Sequence, residues 1–314
     1  MKIKFCVAFF AAILWCAQLA VAASAPMQHI VTVDDHPISV WSRAPANPKF
    51  SILLVHGRTW SALPDFDLQV PKHNRSVMQA LVKLGYATYA IDLRGYGSTP
   101  RNKNGWSTPN EAANDVAQVL KFIHRRHPQL AKPVLFGWSM GSVVSHLTAQ
   151  LYPETMSDLI LYGYPRDPAA NPQVPLTSIE PPREVNTRER AMSDFISPSV
   201  ISKDAIEAYV VAALKTDPVR ADWNKLDEYS VLNPQKVKAP TLLMHGERDP
   251  LAPIDAQSRV FVGLGNPDKQ WVILAGGDHA AMLEDSHDAF IAAVKAFVER
   301  PRTRRETRDT GRGQ

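Results

Sequence analysis

Apolar residues recur along this chain with two periods, and each change of period marks an element. Ser51-Ile52-Leu53-Leu54-Val55, Tyr86–Ile91, Pro133-Val134-Leu135-Phe136, Leu159-Ile160-Leu161-Tyr162, Thr241-Leu242-Leu243-Met244 and Trp271-Val272-Ile273-Leu274 are short, nearly continuous apolar runs. Runs of that length predict strands buried on both faces. Between them the spacing lengthens to that of a helix. Val77, Leu81 and Leu84 share one face over Arg75–Leu84, with Gly85 past the end. Val116, Val119, Leu120 and Ile123 form a second stripe, and Phe290, Val294 and Phe297 a third over about Ser286–Glu299. Thr108-Pro109-Asn110-Glu111 reads as a helix start: Thr as cap, Pro in the first turn, Glu at the reciprocal capping-box position. Met27–Val33 and Pro37–Trp41, parted by Asp34-Asp35-His36, read as a hairpin. There is no internal repeat. Alternating strands and helices predict an α/β fold whose sheet is mostly parallel, with helices on both faces.

One stretch breaks the rhythm. Residues 165–236 contain no buried-strand run; Pro165, Pro168, Pro172, Pro175, Pro181 and Pro182 make their first part irregular. Their second part puts Ile206, Tyr209, Val210, Ala213 and Leu214 on one helical face. A segment this long between two core strands is expected to be a mainly helical cap over the C-terminal strand ends, where open α/β sheets bind ligands. The core is then residues 24–164 and 237–300.

The ends do not share the pattern. Residues 1–23 carry Lys2 and Lys4, an apolar stretch from Phe5 to Trp15, and small residues including Ala20-Val21-Ala22. This is the pattern of a secretory signal peptide, which implies an exported protein, periplasmic or secreted. An uncleaved anchor helix is the competing reading of that stretch, and acylation at Cys16 is disfavoured by the bulky Trp15 before it. Both cysteines, Cys6 and Cys16, fall in this leader. The mature chain therefore offers no thiol chemistry and no Cys-ligated zinc site. Residues 301–314 lack apolar side chains and are Arg-rich, the composition of a disordered tail. Leader and tail together also carry the excess charge behind the net +4, so the body is close to neutral. That body gives no electrostatic footprint for nucleic acid.

The chemistry centres on Gly137-Trp138-Ser139-Met140-Gly141. It reads Gly-x-Ser-x-Gly between the strand ending at Phe136 and a helix starting near Ser142, which is the context of a nucleophile elbow. A serine on that turn adopts strained backbone angles, its neighbours two positions away must be small, and the next N–H points at the reacting carbonyl. A serine nucleophile needs a base and an orienting acid. Asp249, in His245-Gly246-Glu247-Arg248-Asp249-Pro250, and His279, in Gly276-Gly277-Asp278-His279, each follow a strand at the same rim. Asp278 and Asp285 compete for the acid role. His56, His146 and His245 are expected to be structural.

With His56-Gly57, Asp92-Leu93-Arg94-Gly95-x-Gly97, the elbow, Gly246-x-x-Asp249 and Asp278-His279 in place, the chain from about Met27 to Arg300 resembles the α/β-hydrolases that carry a cap. The resemblance implies a Ser139–Asp249–His279 triad. It also implies an oxyanion hole from the backbone N–H groups of Arg58 and Met140. Ser142 departs from the pattern, since many such proteins have a second glycine there. The resemblance implies a serine hydrolase acting on a small-molecule ester, without metal or cofactor. Lactone, thioester, amide or C–C cleavage or perhydrolysis on the same triad stays open, as does a non-catalytic binding role. Trp60, Trp138, Tyr209 and Trp223 are candidates to line the substrate pocket, or else plain core.

Overall fold

The computed structural model describes residues 25–71, 73–170 and 180–301. The leader read at residues 1–23, and all of the basic tail beyond Pro301, lie outside the described residues.

Eight strands form one sheet: β1 (Met27–Val33), β2 (His36–Arg43), β3 (Phe50–Val55), β4 (Tyr86–Ile91), β5 (Val134–Trp138), β6 (Asp158–Tyr162), β7 (Thr241–Gly246) and β8 (Lys269–Leu274). Their order is β1-β2-β4-β3-β5-β6-β7-β8. The β1–β2 hairpin and the β2–β4 pair are antiparallel; every pairing from β4 to β8 is parallel. Helices α1 (Ala62–Phe66), α2 (Val77–Lys83), α3 (Pro109–Arg126), α4 (Met140–Leu151), α5 (Arg188–Met192), α6 (Lys203–Thr216), α7 (Ile254–Gly263) and α8 (His287–Val298) complete the main elements.

The continuous apolar runs have a simple cause. Successive side chains on a strand point to opposite faces. Leu53, Val55, Leu135 and Leu161 pack into one core with α3 and α4, whereas Ile52, Leu54, Phe136 and Tyr162 pack into a second with α2 and α8. Both faces are covered, so both sets must be apolar. β8 is the exception. It is the sheet edge, its residues are mostly half-buried, and Ile273 is exposed.

Helix starts are capped unevenly. The Ser76 and Ser202 hydroxyls accept the N–H groups of Gln79 and Ala205 at the starts of α2 and α6. The capping box expected at α3 does not form: Thr108 makes no side-chain cap bond. Glu111 instead accepts from Arg94 at 2.8 Å and from Asn102 at 2.6 Å. Arg94 also grips Asp115 through two 2.8 Å bonds, so a buried ion-pair network has taken the residue the cap would use.

Between β6 and β7 the chain leaves the sheet. Its α6 packs against α1 and joins the second core through Ala205, Tyr209, Val210 and Ala213. Asp217, just past α6, accepts Ser61 N–H and Gly97 N–H, both at 2.9 Å. Arg101 holds Asp222 and the carbonyls of Val219 and Arg220. The segment is thus tied to the loops at the C-terminal strand ends.

Candidate active site

β5 runs into a sharp turn, and Ser139 sits on it with φ 54° and ψ −123°. A non-glycine residue holds such angles only where its surroundings force them. They are forced here. A Cβ on Gly137 would collide with Gly141 O and Ser145 Oγ, and one on Gly141 with His56 O and Val55 O. Ser139 N–H donates to Tyr162 O at 2.9 Å, which pins the turn to β6. Ser142 is buried, and its hydroxyl donates to Ser139 O at 2.5 Å; the departure from glycine braces the turn.

The loop after β3 approaches from the other side. Several of its polar backbone groups are held by buried side chains. His56 Nδ1 bonds Gly57 O and its Nε2 accepts Leu93 N–H, so the His56 ring joins this loop to the one after β4. Burial pushes its pKa down to about 4, so the ring is neutral. Tyr96 donates to Arg58 O, and Asp92 accepts Ala62 N–H at 3.0 Å. Gly57 N–H reaches Asp65 Oδ2 at 3.3 Å. Among the described residues, the N–H groups of Arg58 and Met140 have no protein acceptor.

The rim beyond β7 and β8 supplies the remaining groups. Asp249 Oδ2 lies 2.8 Å from His279 Nδ1, and both side chains are buried. Asp249 Oδ1 accepts Leu251 N–H at 2.9 Å, which orients the carboxylate. Gly163, in the left-handed region at φ 56°, leaves room for this pair, since a Cβ there would lie 3.0 Å from His279 Cε1. The competing carboxylates are elsewhere. Asp278 is occupied by Ser197 N–H and Ala280 N–H, and Asp285 pairs with Arg75 at the surface. Glu284 accepts Asp278 N–H at 2.9 Å, and burial lifts its pKa to about 9. It therefore braces the His279 loop without adding a negative charge.

Ser139, His279, Arg58 and Met140 border one cavity of about 730 Å³, and Trp60 and Trp138 line it too. Trp138 also donates its indole N–H to His279 O at 2.8 Å. Tyr209 and Trp223 do not line the cavity and correct the sequence expectation. The Tyr209 hydroxyl is buried between Asp65 and Asp194, and Trp223 Nε1 donates to Tyr96 at 2.8 Å. Both brace the walls because their polar tips found partners inside the protein. His146 is buried on α4 with Nδ1 2.8 Å from the Tyr164 hydroxyl, and His245 Nδ1 bonds Gly246 O. Asp65 and Asp194, which do line the cavity, carried no sequence signal, because their partners lie far along the chain.

A family model described as serine aminopeptidase, S33 matches residues 46–286. The monoacylglycerol lipase of Mycolicibacterium smegmatis is 26% identical over 277 residues, covering 82% of this chain and 91% of that protein. A Bacillus subtilis protein called AB hydrolase superfamily protein YisY is 24% identical over 227 residues, covering 66% and 80%. Among solved structures, a mutant of the meta-cleavage product hydrolase CumD aligns with TM-score 0.64 at 15% identity, covering 86% of this chain and 97% of that one. An epoxide hydrolase from Vigna radiata aligns with TM-score 0.61 at 16% identity, covering 87% and 97%. These two likenesses show the shared fold.

Proposed function

The chain belongs to the serine aminopeptidase S33 family of α/β-hydrolases, and from that premise we propose that it is a serine hydrolase cleaving carboxylic esters through an acyl-enzyme. The observation that carries this reading is the 2.8 Å His279–Asp249 pair together with the strained Ser139, with Ser139 and His279 bordering one cavity. With Nδ1 committed to Asp249, Nε2 is the nitrogen left to take the Ser139 proton as Oγ attacks the carbonyl. Asp249 holds the tautomer and stabilises the imidazolium. The unpartnered Arg58 and Met140 N–H groups stabilise the oxyanion. The alcohol leaves with the proton from His279, and water activated by the same ring releases the acid.

The size of the cavity suits a small-molecule substrate. A monoacylglycerol lipase among the relatives, covered over most of its length, supports an ester. Solved relatives of the same fold include an epoxide hydrolase, yet the elbow here carries serine, the nucleophile of acyl transfer. A thioester, lactone, amide or C–C bond would use the same groups, since fold and triad do not fix the substrate.

The first measurement is turnover of short- and long-chain p-nitrophenyl esters by the purified protein beside Ser139→Ala. Loss of turnover in the variant is expected, and the chain-length preference sizes the acyl site. Turnover that survives the substitution overturns the triad. A wild-type protein that neither turns over esters nor is labelled by a fluorophosphonate probe points to the non-catalytic reading.

The leader pattern further supports export. A protein recovered from the periplasm or medium with its N-terminus near residue 24 is the expected result. Intact Met1 on a chain confined to the cytoplasm refutes it. Among the described residues no helix is long and apolar enough to cross a membrane.

A further inference from the structure

The Gly57 peptide, next to the Arg58 N–H, is gripped from two sides. His56 bonds its carbonyl, and Asp65 accepts its N–H at 3.3 Å. Asp65 sits on α1 and is fully buried. Its other oxygen, Oδ1, lies 2.9 Å from the hydroxyl of Tyr209, which comes from α6 in the segment over the sheet. That same hydroxyl lies 3.0 Å from Oδ2 of Asp194, in the loop between α5 and α6.

Two carboxyls thus share one phenol. A phenol has a single hydrogen, which it can donate to only one of them. The other must meet the phenol oxygen with a hydrogen of its own. Two ionised carboxylates flanking one hydroxyl would leave a repulsive contact in a buried site. The trio is satisfied only when one carboxyl is protonated.

Surroundings decide which one. Burial, and next the negative charge of Asp194, hold the Asp65 carboxyl well above the usual carboxylate range. Asp194 is raised by burial to about 6, with the Tyr209 bond and the proximity of His279 pulling the other way. The proton therefore resides on Asp65, which donates to the Tyr209 oxygen, while Tyr209 donates to Asp194. Each carboxyl borders the cavity that holds Ser139 and His279.

We propose that Asp65 is a positioning residue for the oxyanion hole: its neutral carboxyl, bridged through Tyr209 to Asp194, couples the seating of the α5–α6 segment to the conformation of Gly57 and so to the direction of the Arg58 N–H. This rests on the oxyanion-hole reading above. When the segment is seated, Asp65 has an acceptor for its proton and presents Oδ2 to Gly57. When the segment lifts, Tyr209 leaves and a buried acid loses its partner. Asp65 then turns towards whatever acceptor or water it can reach, and the Gly57 N–H is released. The hole is complete only under a seated segment, which ties catalytic competence to closure over substrate.

The test uses the full-length protein with three variants beside Ser139→Ala. Asp65→Asn keeps the pattern, because its amide donates to Tyr209 and its oxygen accepts from Gly57; a kcat close to wild type is expected. Asp65→Ala removes both bonds, and a kcat loss of about 10- to 100-fold with little change in KM is expected, the scale set by misplacing one donor. Tyr209→Phe keeps the ring and cuts the bridge, so kcat should fall in the same direction. Wild-type kcat in Asp65→Ala or Tyr209→Phe overturns the proposal. So does an Asp65→Asn protein that folds and is as slow as Asp65→Ala. Should Asp65→Ala fail to fold, the other two variants decide alone: wild-type kcat in Tyr209→Phe, or an Asp65→Asn protein that folds and is about 10-fold or more slower than wild type, overturns the proposal. Ester turnover that persists in Ser139→Ala defeats the serine reading itself, and the proposal falls with it. A dead Ser139→Ala beside a fully active Asp65→Ala defeats only the proposal.

Discussion

Ser139 is held at angles that a residue with a side chain adopts at a cost of about 1–3 kcal/mol. The elbow bears that cost because its two glycines let three backbone segments meet. Gly141 packs directly under the carbonyls of Val55 and His56, the last residue of β3 and the first of the loop that carries Arg58. Neither partner is a flexible side-chain tip that could swing away. Gly141→Ala must push the end of β3 and the elbow apart, and a destabilisation of about 1–3 kcal/mol is expected from overpacking. The same push separates Met140 N–H from Arg58 N–H, so hydrolase activity should fall by more than the lost folded fraction explains. Thermal denaturation and kcat on the same preparation check this. A variant of unchanged Tm and unchanged kcat would mean that the close approach has slack.

At the level of elements, local signals and tertiary demands can disagree, and α3 is the place where they do. Thr108-Pro109-Asn110-Glu111 carries a full capping signature, yet Arg94 and Asn102 claim Glu111 and the Thr108 hydroxyl makes no cap bond. Thr108→Ala should therefore cost little. Ser76→Ala, at a cap whose hydroxyl accepts Gln79 N–H and donates to Asp67, should cost about 1 kcal/mol or more. Urea denaturation of the pair distinguishes them, and equal losses would show that Thr108 caps after all. The same contrast explains what the sequence could reveal. Strands β3 to β7 were legible because burial on both faces writes an unbroken apolar run. The edge strand β8 looked the same in sequence, although only one end of it is well covered. The placement of the candidates Ser139, Asp249 and His279 at one rim was legible because each follows a strand that ends there. The roles of Asp65, Asp194 and Gly163 were not, because each depends on a partner that only the fold brings near. Tyr209 and Trp223 misled for a related reason: an aromatic in this segment can face the cavity or brace its wall, and its polar tip decides according to distant acceptors.

Across the whole molecule, buried titratable groups set how stability responds to pH, and they pull in opposite directions. Asp92 and Asp115 are each raised by burial to about 6 in the fold, above the value of an exposed aspartate. The folded state then holds more protons than the unfolded chain between about pH 4 and 6, so these groups lose stability as pH rises through that window. His56 and His146 do the reverse. Both rings are buried and pushed down by burial to about 4, while an unfolded histidine titrates near 6.5. The unfolded chain binds the extra protons, and stability is lost as pH falls from about 6.5 to 4. Where the windows overlap, between about pH 4 and 6, these opposed slopes partly offset one another. His146 is the group to isolate, because it lies on α4 with its Nδ1 on the Tyr164 hydroxyl, and burial outweighs the neighbouring Asn233 backbone in setting its charge state. His146→Gln keeps a polar partner for Tyr164 but cannot be protonated. At pH 8 the variant should be less stable than wild type, because its side chain fits the ring's site poorly. Lowering the pH to 4.5 should erase most of that deficit, since the wild type alone pays to deprotonate this ring on folding, on the order of 2–3 kcal/mol over the window. Chemical denaturation at a series of pH values measures the difference directly. A deficit that stays constant from pH 8 to 4.5 would show that His146 takes up its proton in the folded state, and with it that the core around α4 opens to water at acid pH.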